Sequence, residues 1–253
     1  MNWLDNLSKI LPFGEIYKDL LQPSVKQIGE GLESIVKTSR FIIAPFEYLG
    51  NMHDKYLNFL KKVSDKVADD ELIEVHPKIT GTIFENIKYL EEENILFDMF
   101  VELLANAVSK KNASKAHPAF AQIINQLSPD EALMIYYFKQ ESYEFWEQAD
   151  LDYTNNIFYN KRIIRNDFPV NNLSFPDNYT MYINHLNNLQ IAGVPEYKKQ
   201  EPIIIGGRQT GVKIFRKTSF LDFGLLFSNC CVPVNTSQPN FGLGKEKTQS
   251  DTE

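Results

Sequence analysis

"KAHPAFAQIINQLSPDEALMIYYF", residues 115–138, holds a histidine, a serine and two adjacent carboxylates beside prolines. Such a set reads either as a catalytic site or as two successive helix starts, and the fold follows from the choice. After Pro118, Phe120, Ile123, Ile124 and Leu127 recur at helical spacing and give one apolar face. "SPDE" then opens a second helix. Ser128 stands at the N-cap, Pro129 at the first helical position, where its missing N–H does no harm, and Glu131 at the third. In that capping box the Ser128 hydroxyl accepts from the Glu131 N–H and the Glu131 carboxylate reaches back. His117, directly before Pro118, reads as a histidine bonded to nearby backbone. His117, Pro118, Ser128, Pro129 and Glu131 are thus structural residues at a joint between two domains.

Upstream of the joint the pattern is helical. Val25, Ile28, Leu32, Ile35, Val36, Ile42, Ile43 and Phe46 recur mostly at three- and four-residue spacing, with Pro45 as a stop or kink. Further helices are expected over 50–67, 78–91 and 94–109, with "ADDELIEVHPKITG" (68–81) as a linker. In the third, Leu96, Phe97, Phe100, Leu103, Leu104, Ala107 and Val108 make a wide apolar stripe.

Downstream the pattern is broken. Between Tyr136 and Tyr182 there are 13 aromatics with many asparagines, and the stretch over 140–170 is left irregular. A helix follows over 175–193, ended by Gly193. "PIIIGGRQTGVKIF" (202–215) reads as a hairpin around a Gly-rich turn, and 219–232 as a closing helix. Helix, irregular stretch, helix, hairpin, helix is the order of a winged-helix domain. In it 129–140 is the first helix, 177–190 the helix that enters a groove, and 200–217 the wing. The expected fold is therefore mainly α. An N-terminal arm (1–12) leads into a helical bundle (13–127). A small winged-helix-like α+β domain with a β-hairpin (128–234) and a disordered tail (235–253) follow.

Composition narrows the function. The chain has 253 residues, 43% hydrophobic and 23% charged, with a net charge of −7. That is ordinary globular material and, overall, no polyanion binder. Yet residues 161–221 carry nine Lys/Arg against four Asp/Glu, which allows a local basic face. Cys230 and Cys231 are adjacent, a poor arrangement for a disulfide, and a reducing, cytoplasmic setting is expected. No signal peptide or membrane-spanning run is read. His53, His76, His117 and His185 stand apart in four segments, and neither they nor the cysteines have metal-ligand spacing. Gly206 and Gly211 have P-loop spacing, but Val212 occupies the lysine position and no helix follows. Neither a catalytic residue nor a cofactor is expected.

Several stretches resemble the abortive infection alpha family of bacterial proteins. They are Tyr17-Lys18-Asp19-Leu20 with Gln22-Pro23, and Phe100 with Leu103-Leu104-Ala105. The third is His117-Pro118-Ala119-Phe120 followed by Leu127-Ser128-Pro129-Asp130-Glu131-Ala132. Thr218, Gly224 and Phe227 match the family's closing segment, and the resemblance covers most of 16–235. It implies a bacterial cytosolic protein linked to anti-phage defence and brings no catalytic residue. Three readings of mechanism then stand open. The first is a winged-helix module that binds nucleic acid or a phage protein through Lys198, Lys199, Arg208, Lys213, Arg216 and Lys217. The second is a membrane-acting effector using the amphipathic 25–46 segment. An enzyme around His117 is the third and least supported.

Overall fold

The computed structural model describes residues 50–68, 71–73, 75 and 77–234. The expectations for the N-terminal arm, the 25–46 segment and the tail lie outside these residues. The chain divides into two compact units, one reaching to Gln126 and taking in the segment from Pro233, the other Leu127–Val232.

In the first unit, α1 (Gly50–Ser64), α2 (Pro77–Ile87), α3 (Ile95–Val108) and α4 (Ala119–Gln126) are helical. The Asn94 side chain caps α3 by accepting from the Leu96 N–H at 2.9 Å. Eleven of the fourteen α3 residues are buried, so apolar side chains leave it in nearly every direction and three helices find a surface to cover. α1, α2 and α4 each pack against α3. Phe59 of α1 meets Phe84 and Phe97 edge-on at 6.1 and 5.3 Å. Each such ring removed from water contributes about 1.5–3 kcal/mol. Between α1 and α2 the chain is more than a linker: Leu72 bridges Ser109 as in an antiparallel sheet, and the Ile73 N–H donates to Val108 O at 2.8 Å.

The second unit begins with α5 (Pro129–Gln140). It continues through β1 (Glu144–Asp152), β2 (Ile157–Asn166), α6 (Tyr179–Asn188) and β3 (Ala192–Gly193). β4 (Glu196–Ile205), β5 (Arg208–Lys217), β6 (Ser219–Phe220) and α7 (Asp222–Cys231) complete it. β1, β2, β4 and β5 form one antiparallel sheet in the order β2-β1-β5-β4, and β3 pairs with β6. The sheet is thus two hairpins joined along β1 and β5. Asp152 closes the first by accepting from the Thr154 and Asn155 N–H groups at 2.8 and 3.3 Å. Gly206 and Gly207, at φ 60° and 78°, close the second as a two-residue turn that an L side chain would strain.

The base of the sheet is anchored by aromatics. Phe168 lies 5.3 Å from Tyr179 in a stacked pair and 5.2–5.7 Å from Tyr143, Phe138 and Tyr137. Buried Thr218 exchanges two hydrogen bonds with Tyr143, the Tyr143 N–H to its Oγ1 at 2.7 Å and its own N–H to Tyr143 O at 2.9 Å. α7 approaches so closely that a Cβ on Gly224 would stand 1.7 Å from Ile191 O.

Two expectations of fold are corrected. The chain is not mainly α with a winged helix. The presumed wing is half of a four-stranded sheet, because its second strand, β5, is paired along its length with β1. The other half comes from the stretch left irregular over 140–170. β2 escaped notice for a physical reason: nine of its ten residues are exposed, so no alternation of buried and exposed positions marks it. A helical bundle over 13–127 is also not what the structure shows; its described part is the four-helix packing about α3 just given.

Candidate interaction surface

All nine Lys/Arg of the basic segment fall on β2, β4 and β5. The register separates them. Along β5, Lys213 and Lys217 lie opposite Gln148 and Glu144, while Arg216 lies opposite Phe145. Successive side chains alternate between faces, so Lys213 and Lys217 share one face and Arg216 takes the other. Lys198 stands opposite Phe215 and joins the first face. Lys199 is an exposed β4 residue beside a register shift, and Arg208 is the first residue of β5, next to the glycine turn. The six residues expected to make one contact are therefore divided between two faces and a tip.

The first face centres on Trp146 and Phe215, packed edge-on at 5.0 Å. The Arg165 guanidinium covers Trp146 at 4.6 Å and Lys198 Nζ covers Phe215 at 4.4 Å, each a cation against a ring. The carboxylates then neutralise much of the charge. Arg165 meets Asp167 at 2.7 Å and Glu144 at 2.9 Å; Lys198 meets Glu201 at 2.6 Å. Asp150 receives both terminal nitrogens of Arg162, at 2.9 and 3.0 Å, and the Asn160 amide at 2.7 Å. The Arg162 bond first, then Asn160, holds the Asp150 carboxyl below its ordinary range. Among the described residues Lys199, Arg208, Lys213 and Lys217 have no carboxylate partner.

On the opposite face Arg216 is committed. Its Nε lies 2.9 Å from Glu147 Oε2, out of line for a hydrogen bond, and Nη1 donates to Val194 O at 3.3 Å.

The outer strands differ in character. β4 is exposed but carries Pro202 and four charged side chains, devices that blunt a sheet edge. β2 is also an edge and has no proline. It exposes Ile157, Phe158, Tyr159, Ile163 and Ile164, each more than 40% accessible. Its bulges against β1 and the positive φ of Asn160 (51°) are its only irregularities.

The residues of the opening motif have local tasks. Ser128 and Glu131 form the capping box, with the Glu131 N–H donating to Ser128 Oγ at 3.2 Å and the Ser128 N–H to Glu131 Oε2 at 2.8 Å. Pro129 opens α5. His117 Nδ1 accepts from the Ala119 N–H at 3.1 Å, and Pro118 stands between them. Two partnerships were not legible in sequence. Glu131 Oε1 lies 2.6 Å from His185 Nδ1 on α6. Buried Asp130 accepts from the Ser174 N–H at 2.8 Å, the Phe175 N–H at 2.9 Å and the Tyr182 hydroxyl at 3.1 Å. The adjacent carboxylates thus tie α5 to the segment that starts α6. No group of three or more metal-ligating side chains occurs among the described residues, and no described helix is long and apolar enough to cross a membrane.

A family model described as abortive infection alpha matches residues 51–231. The Tyr17–Pro23 pieces of the resemblance lie outside that span. No curated protein and no solved structure matches the chain.

Proposed function

The chain belongs to the abortive infection alpha family, and from that membership we propose that it acts in the bacterial cytoplasm against phage by binding a protein partner, without catalysis. The observation that carries the reading is β2. A ten-residue edge strand exposed on both faces offers unpaired backbone groups and five large apolar side chains to an added strand. Lys161, Arg162 and Arg165 on the same strand favour an acidic partner segment.

A second reading, contact with nucleic acid, rests on the four cations without carboxylate partners, Lys199, Arg208, Lys213 and Lys217. It is the weaker because Arg162, Arg165 and Lys198 on the same sheet are neutralised.

Phage plating on a host with and without the gene, with survival followed at high and low phage dose, tests both. The double variant Ile163→Lys, Ile164→Lys is expected to abolish protection while the chain stays folded. Charge reversal at the four cations is expected to leave protection intact. The opposite pattern, together with an affinity for DNA or RNA that falls steeply with salt, would replace the protein partner by nucleic acid.

A further inference from the structure

Under α6, on the sheet face that carries Arg216, lies a pocket of about 210 Å³ whose lining includes Phe145, Glu147, Lys161, Tyr179, Asn184 and Arg216. Its polar groups divide into two sets. Glu147 and Arg216 are held against each other at 2.9 Å. Lys161, Thr180 and Asn184, all exposed and all on the lining, have no hydrogen bond or ion pair from any side-chain atom among the described residues. Tyr179 adds a sharper observation. The residue is 4% exposed, yet its hydroxyl has no hydrogen-bond partner. A buried hydroxyl left unpaired destabilises the fold, so its place against a pocket calls for an explanation. Burial also pushes the Tyr179 pKa up, which keeps the hydroxyl protonated and able to donate.

The lining states what would fit. Lys161⁺, Arg216⁺ and Glu147⁻ sum to one positive charge, and the cation without a partner is Lys161. Phe145, Ile183 and Val194 supply an apolar floor. The volume is below the roughly 300–1,000 Å³ of sites for drug-sized molecules, which leaves room for one ring and a small head group. We propose that this pocket binds a compact amphipathic anion, a single apolar ring bearing a phosphate or carboxylate. The ring rests on Phe145 and Ile183, the anionic group meets Lys161, and the Tyr179 and Asn184 side chains supply hydrogen bonds. The pocket is separate from the docking of a strand on β2, and either reading can fail without the other.

The test uses the full chain and four probes: phenyl phosphate, benzoate, phenol and inorganic phosphate, titrated by calorimetry and by backbone amide NMR. Saturable binding of phenyl phosphate or benzoate is expected, with shifts at Tyr179 and Asn184. Phenol and inorganic phosphate, which each lack one half of the recognised chemistry, should bind at least about tenfold more weakly. Lys161→Met should lower affinity for the bound anion by about tenfold and remove its salt dependence. Tyr179→Phe should raise the Tm of the free chain while weakening the anion several-fold, a split that loss of packing would not produce. Arg208→Gln, outside the pocket, should change nothing. Absence of saturable binding by both aromatic anions would overturn the proposal. So would phenol binding as tightly as either anion, or unchanged affinity in both Lys161→Met and Tyr179→Phe. Preference between the two anions identifies the head group.

Discussion

Asp130 is the least replaceable acid in the second unit. It is buried, and its two oxygens receive two backbone N–H groups and a tyrosine hydroxyl. Asp130→Ala leaves all three donors without a partner and should cost about 3 kcal/mol, the scale of hydrogen bonds lost from a charged group. Ser128→Ala removes one capping interaction and should cost about 1 kcal/mol. Urea unfolding of the two variants checks the order. Gly224→Ala is set against backbone, since its Cβ would meet Ile191 O at 1.7 Å and no side chain can turn aside. A loss of about 3 kcal/mol or more, or failure to fold, is expected from such overpacking. Sequence reveals these residues unevenly. The Ser128–Glu131 box is contained in four residues, so its meaning is local and readable. The bond from Glu131 to His185 spans 54 positions and exists only once α5 and α6 have packed. Reading His185 as isolated was reasonable along the chain and incomplete in space.

Elements were legible where one face is buried. α3 was found almost to its ends because its apolar side chains recur at helical spacing and Asn94 marks its start. The β4–β5 hairpin was found from its glycines, although it runs further, from Glu196 to Lys217, than the apolar residues alone suggest. The β1–β2 hairpin was missed because β2 buries neither face and so carries no period. Clustering of positive charge did lead to the sheet, but charge along a strand does not say which face it reaches, and register divided the six chosen residues. The missed hairpin has an acid sensitivity of its own. Asp150 is held below the ordinary carboxylate range by Arg162 and Asn160, so its contribution is complete above that range and is lost as pH falls through the lowered folded-state value. Carboxyl NMR should show Asp150 titrating below the other surface aspartates, and Arg162→Gln should bring it back toward them. β2 also predicts behaviour in solution. Ile163→Lys with Ile164→Lys should change unfolding free energy by no more than about 0.5 kcal/mol per site, as exposed positions do, while raising the concentration at which the protein aggregates. Light scattering beside urea unfolding separates the two effects.

At the scale of the molecule, the residues that carry the family resemblance mostly hold the fold together. Asp130 and Glu131 are buried and bonded, Thr218 locks to Tyr143, Gly224 admits Ile191 O, and Phe227 is fully buried. A sequence match through such residues speaks for shared architecture and says little about what is touched by the exposed surface. That explains how the family could be read in the sequence while the contact surface could not. The order of the sheet has a further consequence, in time. β1 pairs β5 along Glu144–Asp150, yet β5 begins at Arg208, 56 residues after the last residue of β1, Asp152. At a synthesis rate of about 5–20 residues per second, the inner edge of a nascent β1–β2 hairpin waits on the order of three to eleven seconds for its neighbour. During that interval both edges of the hairpin are open on the ribosome. A chain released before β5 would keep them open permanently, and any partner that recognises strand edges would meet this protein first as a growing polypeptide.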